Sequence, residues 1–514
     1  MDSRPRGQVP VRWFLLALSG ACSPGDVESG DTASTADTAD TSDTGGEPFP
    51  GDRDGDGVAA DDGDCDDGDA TVFPGADEVG GDGVDQDCDG SDHPATSIGG
   101  VAAILPGGEA EVYHGEVLTI GGDPPRLAAT GTAGELVGHV LVYDGTRVMA
   151  GGSAELDLSH HDMTDFGQAT AFLAADEGRT LVVAGFHDPS DYGGFCAWAA
   201  EAEGGLSPDD AVACAPTFED NVDDRVGYGF AAGADLDGDG IADLALDGYA
   251  DDGTGERRAA LWFHAGPITT EVLASVPLQL VLMPSGSSLS VADVGDLDGD
   301  GYFDIVVSDI QYGGGYSGAA YLVSGSASPG ALPPDSSVAI VGDATGGEMG
   351  AALATGDLDG DTQVDICLGA PLDNSAGERG GAAACFYGPL VGKQQFGDAP
   401  HRWVSESDHH FFGRSVAMLD TDGDGADEVA VSAIDDPYYP HGWPGKVYLY
   451  GTDDTATPRL VLRGEAMDLL GYAMAAGDLD VDGKDDLVVG APYADANGVD
   501  SGAAYVISGA SGAW

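Results

Sequence analysis

The sequence predicts an all-β protein built mainly of one seven-bladed β-propeller, and three observations carry that prediction. A nine-residue acidic string, DLDGDGIAD from Asp235, returns as DLDGDGYFD from Asp296, DLDGDTQVD from Asp357, DTDGDGADE from Asp420 and DLDVDGKDD from Asp478. The starts lie 58 to 63 residues apart, and a fixed period of that kind marks a repeat architecture. Short β-like runs flank the strings, such as IVVSD after Asp304 and LVVGAP after Asp486. The third observation is the unit count. Five units carry the string, and one before them, with Phe166-Gly167 and AADEGRTLVVAGF, has lost its acidic positions. Earlier still, AILPGGEAEVYHGEVLTIGGD followed by GHVLVYDG reads as a shortened unit with the loop deleted. Sixty residues suffice for a four-stranded blade, and propellers take four to eight blades. Two units plus five give seven, with the circle closed by pairing the two ends of the domain. Six or eight blades are the alternatives, because the first unit is poorly defined.

The strings have the chemistry of a hard-cation site. Carboxylates stand at positions 1, 3, 5 and 9: Asp235, Asp237, Asp239 and Asp243; Asp296, Asp298, Asp300 and Asp304; Asp357, Asp359, Asp361 and Asp365; Asp420, Asp422, Asp424 and Glu428; Asp478, Asp480, Asp482 and Asp486. Alternate side chains of a tight turn converge on one point, and a backbone carbonyl at position 7 adds an oxygen. Those carbonyls belong to Ile241, Tyr302, Gln363, Ala426 and Lys484. Gly at position 6 permits the bend because it tolerates a positive φ. Oxygen-only ligands without Cys or His point to Ca2+. An EF-hand is excluded, since it needs flanking helices and a Glu at position 12. Thr362 replaces the position-6 Gly in the third string, and Glu428 is one methylene longer than Asp, with Asp427 beside it as a substitute.

Composition bounds the partners. The 514 residues hold 18 Lys and Arg against 91 Asp and Glu, a formal charge of −73. That excludes nucleic acid as a natural partner and disfavours anionic membrane surfaces. It suits an extracellular protein whose charge is partly neutralised by bound ions. The 83 Gly residues follow no Gly-X-Y period, so collagen is excluded. Six of the seven Cys fall into near pairs: Cys65 with Cys88, Cys196 with Cys214, and Cys367 with Cys385. The last two pairs share a separation that suits neighbouring antiparallel strands joined by a loop. Three disulfides and an oxidising compartment are expected.

Taken in order, residues 1–21 read as an export signal: Arg4, Arg6 and Arg12 precede an apolar run from Trp13 to Leu18. The run is too short to span a bilayer. LSGAC, ending at the unpaired Cys22, resembles a bacterial lipobox, although Leu18 stands one place early. The resemblance implies lipidation of Cys22 and a membrane link through that anchor alone. Ser19 and Ala21 also satisfy ordinary signal peptidase. Residues 22–50 form an Asp/Thr/Ser-rich linker with almost nothing to bury, expected to stay disordered.

Residues 51–93 change character. They open with Asp52, Asp54 and Asp56, pass Cys65 and a PGA turn, and close with Asp85, Asp87, Cys88 and Asp89. So few apolar side chains cannot build a core. A Cys65–Cys88 staple and bound cations on the two Asp clusters could fold the segment instead. The DCDD…PGA…DCDG order is similar to the MopE-like bacterial metal-binding motif.

Residues 94–514 hold the blades. An apolar residue and Gly precede several strings, at Met349-Gly350, Phe412-Gly413 and Leu470-Gly471, while the second string has Leu289 where that Gly would stand. Gly-Ala-Pro follows at Gly369-Ala370-Pro371 and Gly490-Ala491-Pro492, and then β runs such as GAAYLVSG and GAAYVISG. This order resembles the FG-GAP repeats of the integrin α-subunit propeller. The resemblance implies calcium loops on one face and a partner, protein or glycan, bound by loops on the other. Those loops would include DPSDYGG from Asp188, QYGGGYSG from Gln311 and DDPYYPHGWPG from Asp435, with Tyr312, Tyr316, Tyr438, Tyr439 and Trp443 as exposed aromatics.

No enzyme is expected. The chain has no GxSxG elbow and no HExxH. The pairs His160-His161 and His409-His410 read as surface or turn residues, since neighbours on a strand face opposite ways. The sequence thus points to a calcium-binding adhesion or ligand-binding module, extracellular or on a bacterial outer surface. A purely structural, calcium-stiffened surface protein is the alternative, with a hydrolase accessory domain behind it.

Overall fold

The computed structural model describes residues 103–511 apart from a series of short stretches, of which 216–228 and 326–337 are the longest, together with Cys65, Val72, Thr96 and Ser97. The chain divides into two units, Met1–His93 and Pro94–Trp514. The export signal, Cys22, the linker, Cys88 and the Asp52–Asp56 and Asp85–Asp89 clusters lie outside the described residues. Cys65 is disulfide-bonded.

Among the described residues of the second unit there are seven sheets, each with an antiparallel four-stranded blade that starts from an inner strand. Blade 1 runs Val117–Gly121, Arg126–Ala133, Val137–Asp144 and Leu156–His160. Blade 2 runs Thr170–Ala174, Thr180–His187, Gly193–Ala199 and Ala213–Ala215, and blade 3 runs Phe230–Ala232, Leu244–Asp251, Arg257–His264 and Leu278–Leu282. Blade 4 runs Leu289–Gly295, Asp304–Asp309, Ala319–Val323 and Val338–Val341. Blade 5 runs Ala352–Gly356, Asp365–Ala370, Ala382–Phe386 and His401–Val404, and blade 6 runs Val416–Leu419, Glu428–Ala433, Lys446–Tyr450 and Pro458–Arg463. Blade 7 takes Met474–Gly477, Asp486–Ala491 and Ala503–Ile507 from the end of the chain and Ala103–Pro106 from its beginning.

That last sheet closes the ring. Ala103–Pro106 pairs antiparallel with Ala503–Ile507, and Leu105 is buried there. The sequence stretch AILP therefore belongs to blade 7 rather than to the shortened first unit. Inner strands touch in the circular order of the blades, and Met474–Gly477 of blade 7 meets Val117–Gly121 of blade 1. A second device recurs at the rim. Gly204–Leu206, Gln394–Gln395 and Thr96–Ser97 each pair in parallel with the outer strand of the neighbouring blade, at blades 1, 4 and 6.

Apolar side chains fill every blade–blade interface. Leu105, Leu118, Leu127, Leu479, Val488 and Val506 pack between blades 7 and 1, and six further clusters serve the other interfaces. The second strands of blades 4 to 7 are buried at all six residues, which explains their nearly continuous apolar sequence.

The paired glycines of the repeat have a steric cause. Gly413, before the inner strand of blade 6, has φ 83°. A Cβ on Gly369, in the second strand of blade 5, would lie 2.0 Å from the Gly413 carbonyl oxygen. Gly490 of blade 7 and Gly115 before blade 1 repeat the contact at 2.0 Å. His114-Gly115 thus fills the apolar-Gly position of blade 1, with His114 buried. Burial pushes the His114 pKa down to about 4, with His139 adding to the effect.

The two described disulfides, Cys196–Cys214 and Cys367–Cys385, join directly opposed residues of neighbouring antiparallel strands, as the sequence predicts.

Gly490→Ala forces a methyl group into the closing interface. Overpacking of this kind costs about 1–3 kcal/mol. The expected result is a lower denaturant midpoint with unchanged β-sheet circular dichroism, measured by equilibrium unfolding.

Candidate metal centres on five consecutive blades

The five acidic strings occupy one structural position in blades 3 to 7, the connection from inner strand to second strand. Each is wound by its own amides. The position-1 carboxylate accepts N–H bonds from positions 5 and 6: Asp235 from Asp239 and Gly240 at 3.0 and 2.7 Å, and Asp296 from Asp300 and Gly301, both at 2.9 Å. Asp357, Asp420 and Asp478 repeat the pair. The position-5 carboxylate accepts the N–H of position 7, which fixes Ile241, Tyr302, Gln363, Ala426 and Lys484 at 2.7–3.0 Å. These side chain–backbone turns are what Asp favours.

The winding brings acidic oxygens together. Positions 1, 3 and 5 converge in the first four loops: Asp235, Asp237 and Asp239; Asp296, Asp298 and Asp300; Asp357, Asp359 and Asp361; Asp420, Asp422 and Asp424. In the fifth loop the converging set is Asp478, Asp480 and Asp486, while Asp482 stands outside it. Each set offers oxygens within 4.8 Å of one another. Asp480 Oδ1 is buried and lacks a hydrogen-bond partner, which suits it to ligate a cation. The donors are oxygen only, so these residues fit a hard divalent ion.

Position 9 also has a role in the scaffold. Asp243 accepts the N–H of Leu236 at 2.8 Å and of Gly266 at 2.7 Å. Asp304 does the same with Leu297 and Gly325, Asp365 with Leu358 and Gly388, and Asp486 with Leu479 and Gly509. Each carboxylate so ties the loop to the end of the third strand of its blade. A carboxylate has about four lone-pair sites, so a metal can still be reached. Glu428 keeps the bond to its loop, from Thr421 N–H at 3.0 Å, and takes Arg459 at 2.9 Å on the other oxygen. Asp427 does not substitute for it, because its carboxylate points to the neighbouring blade.

Burial raises the ninth carboxylates: Asp304 to about 7, and Asp243, Asp365 and Asp486 to about 6. Backbone N–H groups oppose the shift, and other carboxylates of the same loop add to it.

Two features escaped the sequence reading. Position 4 is left-handed as well as position 6, with φ between 72° and 80° at Gly238, Gly299, Gly360 and Gly423. The Gly at position 4 in those four strings was the available signal. Val481 holds the place in the fifth at φ 61°, and Thr362 accepts φ 71° at position 6 of the third. Position 8 is the second feature, since Asp427 and Asp485 bond to the preceding blade's loop.

The aromatic loop residues divide. Tyr312 packs on the core cluster between blades 3 and 4 and meets Tyr321 edge-on. Trp443 packs on Phe411, Ile434 and Leu469. Tyr316 stays exposed. Tyr438, Tyr439 and 188–192 lie outside the described residues. His409 and His410 stand in a turn, with His410 Nδ1 3.3 Å from Ser405 Oγ.

Comparison with known proteins agrees with this geometry. The FG-GAP repeat model matches residues 470–507, which span blade 7 from Leu470-Gly471 to its third strand. The Cu-binding MopE model, for a metal-binding motif, matches residues 64–94. Integrin alpha-IIb of Mus musculus is 32% identical over 166 residues, covering 30% of this chain and 15% of that protein. Integrin alpha pat-2 of Caenorhabditis briggsae is 32% identical over 180 residues, covering 31% and 14%. Integrin alpha-V of Gallus gallus is 30% identical over 235 residues, covering 43% and 21%. The matches thus span between 14% and 21% of these relatives' lengths. A solved mutant of AofleA from Arthrobotrys oligospora aligns with 76% of this chain and 95% of its own at 10% identity, with a TM-score of 0.39. The chain carries a MopE-type motif in residues 64–94 and, separately, an FG-GAP repeat in the last blade of a seven-bladed propeller, and it is similar to integrin α subunits.

A carboxylate raised in the folded state stabilises below its unfolded pKa of about 3.9 and loses that contribution as pH rises through the folded value. In excess chelator the melting temperature should therefore fall between pH 4.5 and 7.5, as followed by scanning calorimetry.

Proposed function

We propose that this chain is a calcium-binding, non-catalytic propeller of the extracellular space or cell surface, and that it binds a protein or glycan partner through loops opposite the metal centres. The observation that supports it is the recurrence of one three-carboxylate cluster at the same connection of five consecutive blades. At an effective dielectric of about 20, two charges 4 Å apart repel by roughly 4 kcal/mol. A divalent ion at each centre turns that cost into cross-linking of inner strand, loop and second strand. Calcium suits the all-oxygen donor set and the open loop.

Second-to-third-strand connections lie at the other end of each antiparallel blade, where calcium does not compete for the surface. Tyr316 is the described aromatic available for contact there, and such side chains suit protein and sugar surfaces. The similarity to integrin α subunits supports an adhesion role and an extracellular or surface location. Lipid attachment at Cys22 and metal binding at residues 51–93 belong to the same reading. Packing of Tyr312 and Trp443 onto blade edges favours a second reading, a calcium-stiffened structural surface protein without a discrete ligand.

Calcium titration with a metal count, beside a chelated control, tests the metal part. Extracellular modules bind with dissociation constants of about 0.1–1 mM. At one hundred times the dissociation constant, each site adds about 2.7 kcal/mol. The expected result is several bound ions and a melting temperature raised by at least a few degrees at pH 7.5. A glycan array and pull-down on calcium-loaded protein, with Tyr316→Ala beside it, separates the two readings. Partner capture weakened by the substitution supports the binding module, and no capture at all supports the structural one.

A further inference from the structure

The metal loops of blades 5, 6 and 7 are stitched together by their eighth residues. Asp427, in the blade 6 loop, donates its N–H to the carbonyl of Asp357 at 2.7 Å, and its Oδ2 accepts the Asp357 N–H at 2.8 Å. Asp485, in the blade 7 loop, repeats the reciprocal pair on Asp420, at 2.8 and 3.2 Å. Lys484 Nζ adds a bond to the Thr421 carbonyl at 3.4 Å. The residues gripped are the first metal-facing residues of the preceding loops. Position 8 of the earlier loops is Ala242, Phe303 or Val364, none with a side-chain oxygen. Val364 occupies the corresponding place: a Cβ on Gly295 would lie 2.8 Å from its Cγ2, as one on Gly356 would lie 1.9 Å from Asp427 Oδ2. The same site thus holds a hydrogen-bonding clasp in one half of the ring and an apolar contact in the other.

We propose that Asp427 and Asp485 are positioning residues that couple the metal loops of blades 5, 6 and 7 into one cooperative unit, while the loops of blades 3 and 4 load independently. Calcium in the blade 6 loop fixes residues 420–428, Asp427 among them. Asp427 then holds the backbone of Asp357, from which the first carboxylate of the blade 5 loop springs. Asp485 carries the same constraint from blade 7 to Asp420. Coupling of binding sites is reciprocal, so loading either member favours the other. The inference rests on calcium occupying these loops.

Calorimetric calcium titration of the full chain, with ions counted by elemental analysis, provides the test. Wild type should bind with a Hill slope above unity. Asp427→Val, which copies Val364, should lower the slope and weaken about one ion five- to tenfold, within the usual range of site coupling, with the ion count unchanged. Asp427→Asn keeps the side-chain oxygen and should keep the slope. Val364→Asp should raise the slope by recruiting blade 4, and it remains informative where Asp427→Val fails to fold. An unchanged isotherm in Asp427→Val or in Val364→Asp overturns the coupling, as does a wild-type slope of unity. Loss of one whole ion in Asp427→Val overturns it too, by making Asp427 a ligand. Wild-type protein that binds no calcium removes the calcium reading itself, a result distinct from all of these.

Discussion

Crowded negative charge is the constraint on which this propeller depends. Five blades each hold three carboxylates with oxygens within 4.8 Å of one another, in a chain already at −73. Such clusters are held by short-range hydrogen bonds to loop amides, and the bonds alone do not remove the mutual repulsion. A divalent cation bound there, as proposed, would remove it and would rigidify the loop that connects the inner strand of a blade to the second. The ninth carboxylate extends the tie to the third strand. In the proposed reading, metal occupancy would thereby bear on the packing of the whole blade.

Close backbone approach between blades is the second constraint. Gly369 against Gly413 and Gly490 against Gly115 leave no room for a side chain, so neighbouring blades meet backbone to backbone near one end. Apolar clusters fill the rest of each interface. Closure then needs a strand from the far end of the sequence. Ala103–Pro106 supplies it, and the preceding Thr96–Ser97 pairs with blade 6. The beginning of the propeller is thus held by its two last blades.

Much of the fold was legible because the period is strong. The five acidic strings and the glycine pairs are local patterns that map onto recurring places in a blade, and the two described cysteine pairs mark opposed positions on neighbouring strands. The less legible parts depend on three-dimensional neighbours. His114-Gly115 performs the apolar-Gly role with a histidine, which burial keeps neutral, so the motif did not show. Asp427 looked like a spare ligand for its own loop, yet its carboxylate serves the loop of the preceding blade. Trp443 and Tyr312 looked exposed on loops, and packing claimed them. In each case the sequence named a side chain correctly and left open which neighbour it would face.

The central claim is that cations sit among the converging carboxylates of these loops, at positions 1, 3 and 5 in blades 3 to 6 and at positions 1, 3 and 9 in blade 7. Anomalous diffraction from crystals grown in calcium tests it most directly. The account predicts peaks at the loop centres of blades 3 to 7, each surrounded by carboxylate oxygens at about 2.3–2.6 Å. Loops without peaks, their carboxylates turned outward to solvent, would contradict it.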